Sequence, residues 1–102
     1  MADHRAPLNE TEIRTRMASL PGWEQDGWLI RKTFRMESYP AGLAFASAVG
    51  TICEGFDHHP DSLCIGWKKV EVSFTTHSVG STLTALDFEV AAIIEALPYR
   101  KP

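Results

Sequence analysis

Hydrophobic and polar residues recur along this chain with two periods, one typical of helices and one typical of strands. Each change of period marks a boundary between elements. A helical period comes first, since Asn9 can cap a short helix whose apolar face carries Ile13, Met17 and Leu20. A period of two follows around Asp26-Gly27, a pair of residues typical of a β-hairpin turn. In the second of these strands, the apolar residues expected on the buried face are Trp28, Ile30, Phe34 and Met36.

The longest helix is expected after Ser38, a capping residue followed by a proline in the first turn. Its core-facing stripe is formed by Phe45, Val49, Ile52, Cys53 and Phe56. The opposite face is built mostly of small residues, namely Leu43, Ser47, Gly50, Thr51 and Glu54. That face is either a contact for another subunit or a plain solvent-exposed surface.

A second strand pair is predicted for residues 63–67 and 69–76, where apolar and polar residues alternate. A last helix starts at Thr84, with Asp87 at the third position of a capping box, and stops at Pro98. The order is therefore helix, hairpin, helix, hairpin, helix. We predict an α+β fold, a two-layer sandwich in which a four-stranded antiparallel sheet carries three helices on one face.

A length of 102 residues predicts a single domain over residues 1–102, with residues 1–7 as a loose tail. The net charge of −3 and the absence of a Lys/Arg stripe indicate no nucleic-acid partner. The chain has no apolar run of membrane-spanning length and no secretion signal, so we expect no membrane contact and a cytoplasmic location. Cys53 and Cys64 are expected to be free thiols packed in the core.

Titratable side chains cluster where the predicted elements end, which is where functional residues concentrate. Two adjacent histidines, His58 and His59, follow the central helix and precede a proline. Glu54 lies four residues before His58, and a carboxylate one helical turn away can fix the tautomer of an imidazole. A third histidine, His77, and a carboxylate, Asp87, follow near later element ends. This cluster is the candidate functional site.

Three kinds of chemistry compete for such a cluster. Zinc is disfavoured, because no C-x-x-C or H-x-x-x-H spacing is present and adjacent helical residues point about 100° apart. Covalent catalysis is disfavoured as well, because no serine or cysteine has a base at a recognisable spacing. Imidazoles that donate and accept protons near neutral pH remain, and they suit dehydration, hydration or tautomerisation of a small molecule without a cofactor.

The residues Glu54-x-x-x-His58-His59-Pro60, followed by Trp67, Thr76-His77 and Asp87, resemble the signature of the pterin-4a-carbinolamine dehydratases. The resemblance runs from about Leu20 to Leu97 and includes Leu20-Pro21-Gly22-Trp23. Two stretches, from Pro60 to His77 and from His77 to Asp87, look one residue longer than the commonest form. The usual Tyr-Asn-Lys-Val is replaced by Trp67-Lys68-Lys69-Val70.

The resemblance implies a cofactor-free hydro-lyase that removes water from 4a-hydroxytetrahydropterin to give the quinonoid dihydropterin during pterin recycling. It also implies a homodimer or homotetramer assembled through sheet edges and central helices. A non-catalytic binding or assembly factor with the same fold is the main alternative. An enzyme that acts on a molybdopterin-related pterin is another.

The resemblance also assigns roles to particular residues. His58 and His77 would exchange protons with the substrate, and Glu54 would orient His58. His59 and Pro60 would contact the pterin. The remaining two positions each keep an alternative: Asp87 anchors a histidine or the substrate, or only caps its helix, and Trp23 walls the pocket or belongs to the core.

Overall fold

The computed structural model describes residues 5–98, and in that range the chain forms three α-helices and four β-strands. In chain order they are α1 (Glu10–Met17), β1 (Glu24–Asp26), β2 (Leu29–Arg35), α2 (Tyr39–Gly55), β3 (Ser62–Gly66), β4 (Lys69–Phe74) and α3 (Ala85–Glu95). A single turn of 3-10 helix (His77–Val79) separates β4 from α3.

The four strands form one antiparallel sheet in the order β1-β2-β4-β3. The two central strands pair over six positions, with Phe34 opposite Val70 and Ile30 opposite Phe74. The sheet, together with the helices that cover it, confirms the predicted two-layer α+β fold with three helices on one face of a four-stranded sheet. β1 and β3 are the edge strands.

The core lies between the helices and the apolar side of the central strands. Phe34 and Phe45 join the two layers, with ring centroids 4.8 Å apart. Capping residues define where the helices begin: Asn9 accepts a hydrogen bond from the Glu12 N–H at 2.8 Å, and Ser38 Oγ accepts one from the Ala41 N–H at 3.1 Å. The caps predicted from the sequence are thus confirmed.

The first hairpin turns one residue later than its sequence indicates. Asp26 pairs with Leu29, so the turn consists of Gly27 and Trp28, and Gly27 takes the left-handed φ of +61°. The prediction that Trp28 lies on the buried face was wrong, because its side chain leaves the sheet at the turn and is 63% exposed. Phe56, expected in the buried stripe of α2, is also exposed, since it follows the last helical residue.

From Arg5 onward, the N-terminal segment is held by hydrogen bonds to the rest of the protein, in contrast to the loose tail expected for residues 1–7. Pro7 forms an isolated bridge with Thr84, and the Leu8 N–H donates to the Leu83 carbonyl at 3.0 Å. Residues 1–4 of the expected tail lie outside the described part of the chain. Arg5 is thereby held above the end of α2.

Within residues 5–98, no helix has the length and apolar character needed to cross a membrane.

Candidate active site

The path of the chain after α2 determines which carboxylate meets which histidine. The helix ends at Gly55, and Asp57 then takes a left-handed φ of +51°. Arg5 stabilises this turn, since its guanidinium donates to the Asp57 carbonyl at 2.8 Å. The His58 N–H bonds the Cys53 carbonyl at 3.0 Å, so His58 no longer follows α-helical geometry.

The expected pairing of Glu54 with His58 was therefore wrong, because the two residues do not share a helix face. Glu54 Oε2 lies 2.8 Å from His59 Nε2 instead. Both side chains are largely exposed, His59 at 60% and Glu54 at 76%. An ion pair this exposed is screened by water and is worth about 0–1 kcal/mol. Glu54 can therefore orient His59. Within residues 5–98 it makes no hydrogen bond to His58.

His58 instead pairs with Asp87 in the interior. The distance from His58 Nε2 to Asp87 Oδ1 is 2.7 Å, and the two side chains are only 6% and 0% exposed. The Phe74 ring stacks on the imidazole, with centroids 5.8 Å apart and planes inclined by 16°. The imidazole is thus fixed by an apolar wall on one side and by a buried carboxylate at its end.

Asp87 serves both of the roles that the sequence left open. Its Oδ2 accepts a hydrogen bond from the Thr84 N–H at 2.9 Å, which caps α3. The same oxygen accepts a second bond from the Thr76 hydroxyl at 2.8 Å. Its Oδ1 remains for His58, so one side chain caps a helix and anchors a histidine.

The carboxylate also selects the tautomer of His58. An ionised carboxylate only accepts hydrogen bonds, so Nε2 must carry the proton that it donates to Asp87. In neutral imidazole the other nitrogen, Nδ1, then holds a lone pair. Among the described residues, Nδ1 has no hydrogen-bond partner. Nδ1 is therefore the atom through which His58 can exchange a proton.

His77 has partners at both ring nitrogens. Its Nε2 lies 3.0 Å from Asp61 Oδ1, and its Nδ1 lies 2.9 Å from Ser81 Oγ. The His77 side chain is 59% exposed, so water and small molecules reach it. By the same argument as for His58, the carboxylate places the proton on Nε2 and leaves Nδ1 to accept from the serine hydroxyl.

One open cleft of about 390 Å³, here called the histidine cleft, is lined by His58, His59 and His77. Its lining residues are Arg5, Asp57, His58, His59, Pro60, Thr75, Thr76, His77 and Ser78. This volume lies in the range of small-molecule sites. A larger groove of about 610 Å³ lies beside Trp28, and its described lining includes no histidine.

Trp23 does not wall this cleft. It is 5% exposed, its ring packs against Phe34 and Phe74, and its Nε1 donates to Glu95 Oε1 at 2.8 Å. The indole is buried because its polar N–H finds a carboxylate there. Trp23 therefore lies behind Phe74, the ring that stacks on His58, and belongs to the core.

Several residues of the site were missed by sequence reasoning. Arg5 gave no signal, because it lies in a segment with no periodic pattern. Asp61 directly follows the histidine–proline motif, and that position was the available clue. Thr76 was noted only as part of the Thr76-His77 signature. The period of two predicted for residues 69–76 fits a structural residue equally well, so its bond to Asp87 could not be inferred from spacing.

The two cysteines differ in their surroundings. Both are free. Cys53 is buried in the last turn of α2, and Cys64 is exposed on the edge strand β3. The expectation that both thiols pack in the core was thus wrong for Cys64. Burial raises the pKa of the Cys53 thiol to about 11. Within residues 5–98, no group of three or more His, Cys, Asp or Glu side chains is arranged to hold a metal ion.

Known proteins are similar to this chain in sequence and in fold. The family model described as pterin 4 alpha carbinolamine dehydratase matches residues 6–97. A protein of Roseiflexus castenholzii is 44% identical over 92 residues, covering 90% of this chain and 97% of its own. A protein of Streptomyces avermitilis is 40% identical over 91 residues, covering 89% of each chain. Both carry pterin-4-alpha-carbinolamine dehydratase as a provisional name.

Two solved structures are similar in fold. A transcriptional coactivator/pterin dehydratase from Brucella melitensis is 28% identical, with a TM-score of 0.82 over 89% of this chain and 97% of that one. A pterin dehydratase-like RuBisCO assembly factor of the alpha-carboxysome is 18% identical, with a TM-score of 0.59 over 94% of each chain, and shows the fold alone. With the family match over residues 6–97 and these relatives, the chain belongs to the pterin 4 alpha carbinolamine dehydratase family.

Proposed function

We propose that this protein is a 4a-hydroxytetrahydropterin dehydratase that works by general acid–base catalysis, without a metal or a cofactor. The observation that carries the proposal is that His58 and His77 line one cleft, each with a carboxylate at Nε2. Membership of the family supplies the substrate class, a pterin carbinolamine. The reducing cytoplasm is the compartment we propose, since both cysteines are free.

The proposed reaction requires two proton transfers. The hydroxyl on C4a leaves as water, so it must receive a proton, and N5–H must give up its proton to form the quinonoid product. One imidazolium donates and one neutral imidazole accepts, so the pair is left with the same total number of protons. His58 can act through its Nδ1. His77 can act through its own Nδ1 when a substrate hydroxyl displaces that of Ser81.

The other residues of the histidine cleft are assigned to substrate binding. His59 and Pro60 would contact the pterin ring, and Glu54 would set the orientation of His59 through its bond to Nε2. Asp87 would act through His58, because its carboxylate is fully buried. On this basis, Glu54→Gln should resemble a His59 variant and raise KM, with little effect on kcat.

The proposal is tested by the turnover of chemically generated carbinolamine, measured against its uncatalysed rate. His58→Ala and His77→Ala should each lower kcat by roughly 10²–10⁴-fold, the usual scale of general acid–base catalysis. The double variant should cost far less than the product of the single effects, because residues that act as a unit are not additive. His59→Ala should mainly raise KM.

Circular dichroism would show whether each variant is folded. Folded His58→Ala and His77→Ala proteins with wild-type turnover would overturn the proposal.

A binding or assembly role is the second candidate. The observation in its favour is the exposed face of α2, where Tyr39 and Leu43 are 47% and 43% exposed. If the wild-type protein does not accelerate dehydration of the carbinolamine above its uncatalysed rate, this role is favoured. If the protein is an enzyme, comparing a biopterin carbinolamine with a molybdopterin-related one would identify the pterin.

A further inference from the structure

The hydrogen bonds around Asp87 involve a pair of threonines as well as His58. The hydroxyls of Thr76 and Thr84 lie 2.8 Å apart, and Thr76 Oγ1 also lies 2.8 Å from Asp87 Oδ2. Both threonines are buried, Thr76 at 1% and Thr84 at 0% exposure. Each of these groups finds its partner within the protein.

The chemistry of the groups fixes the direction of this chain of bonds. Asp87 only accepts when ionised, so the Thr76 hydroxyl must donate its single hydrogen to Oδ2. The contact between the two threonines is then made by the Thr84 hydroxyl, which donates to Thr76 Oγ1. Hydrogens therefore point from Thr84 to Thr76, from Thr76 to Asp87, and from His58 Nε2 to Asp87.

We propose that Thr76 is a positioning residue for the dehydration: its hydroxyl, backed by Thr84, orients the Asp87 carboxylate so that His58 presents Nδ1 to the substrate. The inference rests on the proposed function, and it adds a residue that acts two bonds away from the reacting atoms. With Oδ2 occupied by two donors, only Oδ1 is left for the imidazole. The buried carboxylate thus has one orientation available.

Removal of the Thr76 hydroxyl should shift the balance between the imidazolium and neutral forms of His58 in one direction. With one donor fewer, the Asp87 carboxylate is less stabilised and attracts the imidazolium form of His58 more strongly. The other ionisable side chains that face the cleft are Arg5, Asp57, His59 and His77. Thr76→Val changes none of them, so a difference from wild type reports on the threonine.

The experiment uses the intact chain with and without substrate. In substrate-free Thr76→Val, NMR should show the His58 imidazole titrating at higher pH than in wild type. With substrate, kcat should fall about 10- to 100-fold, the scale of one hydrogen bond to a charged group, while KM stays near wild type. The pH profile of kcat/KM should move in the same direction as the NMR titration.

Two variants control for a merely structural effect. Thr76→Ser keeps the hydroxyl and should restore both the titration and kcat. Ser73→Ala removes a buried hydroxyl of β4 that bonds Ser62 instead of the site, and it should leave the His58 titration unchanged. If Thr76→Val does not fold, Thr76→Val/Thr84→Val removes both hydroxyls, leaves neither threonine hydroxyl without its partner and should give the same shifts.

A folded Thr76→Val protein with a wild-type His58 titration and pH profile would overturn the inference. The two proposals fail in different ways. If wild type shows no dehydratase activity but the NMR shift appears in Thr76→Val and reverts in Thr76→Ser, the proposed function fails and the hydrogen-bond geometry stands.

Discussion

Burial divides the histidine–carboxylate pairs into two kinds. The pair of His58 and Asp87 is shielded from water, so the loss of one partner would strand the other and cost about 3–5 kcal/mol. The pairs of His59 with Glu54 and of His77 with Asp61 are exposed to solvent, and they orient side chains without adding much to stability. The buried histidine is thus the rigid part of the site, and the two exposed ones can move to meet a substrate.

Burial also separates the two thiols, and this gives a prediction about alkaline pH. In the unfolded chain the Cys53 thiol has its ordinary pKa of 9.0, whereas burial raises the pKa in the folded protein to about 11. As pH rises through this window, the unfolded state loses a proton that the folded state keeps, so stability falls. We expect Cys53→Ala to lose less stability than wild type between pH 9 and pH 11, by on the order of 2 kcal/mol.

Urea unfolding at several pH values would measure this difference. The cavity left by the smaller side chain lowers stability equally at each pH. The test is therefore the slope of the free energy of unfolding against pH. Cys64→Ala is the matched control, because Cys64 is exposed, and it should follow the wild-type slope. An equal slope for wild type and Cys53→Ala would contradict the prediction.

At the scale of elements, the sequence predicted what depends on local pattern and missed what depends on the path between elements. The caps at Asn9 and Ser38 follow from neighbouring residues, and both were predicted correctly. The alternation in β4 holds from Lys69 to Val72, after which Ser73 is buried as well. The four residues His58, His59, His77 and Asp87 were singled out by type and position at element ends. Which carboxylate pairs with which of the adjacent histidines was not predicted, because the left-handed turn at Asp57 breaks the helical spacing on which the Glu54 prediction depended.

The second hairpin contains a strained residue that allows a test at this scale. Gly66 pairs with Lys69, so Trp67 and Lys68 form the turn, and Lys68 has a φ of +56°. A left-handed conformation costs a non-glycine residue about 1–2 kcal/mol. Lys68 also stacks on the exposed Trp67 ring at 4.8 Å, an interaction worth about 0.5 kcal/mol. Lys68→Gly should therefore raise the free energy of unfolding by roughly 0.5–1 kcal/mol.

Its neighbour provides the control. Lys69 is the first residue of β4, where glycine lowers stability by roughly 0.5–1 kcal/mol, so Lys69→Gly should have the opposite sign. Denaturant unfolding of the two variants would decide the matter. A Lys68→Gly protein no more stable than wild type would show that the left-handed turn is not strained.

At the scale of the whole molecule, one monomer leaves several surfaces uncovered. β1 and β3 are unprotected sheet edges, and edge strands tend to pair with other chains. On α2, a Cβ added at Gly50 would meet nothing within 4 Å, next to the exposed Leu43 and Ser47. Near β3, Ile65 and Trp67 are exposed as well. An apolar side chain is more stable when covered, so these surfaces suggest self-association.

We predict a homodimer or homotetramer in which the small-residue face of α2 packs against its copy. Light scattering at micromolar concentration should give two or four times the monomer mass of 11.3 kDa. Gly50→Leu is the informative change, because leucine favours the helix more than glycine does and has room in the monomer, whereas it would obstruct a close helix–helix contact. The variant should therefore be at least as helical as wild type but dissociate into smaller species.

Thr15→Leu puts the same side chain on an exposed position of α1 and should leave the assembly intact. A wild-type protein that stays at 11.3 kDa would contradict the predicted assembly altogether. An oligomer that withstands Gly50→Leu would instead place the contact at the sheet edges, where charged substitutions in β3, such as Cys64→Lys, should then separate the subunits.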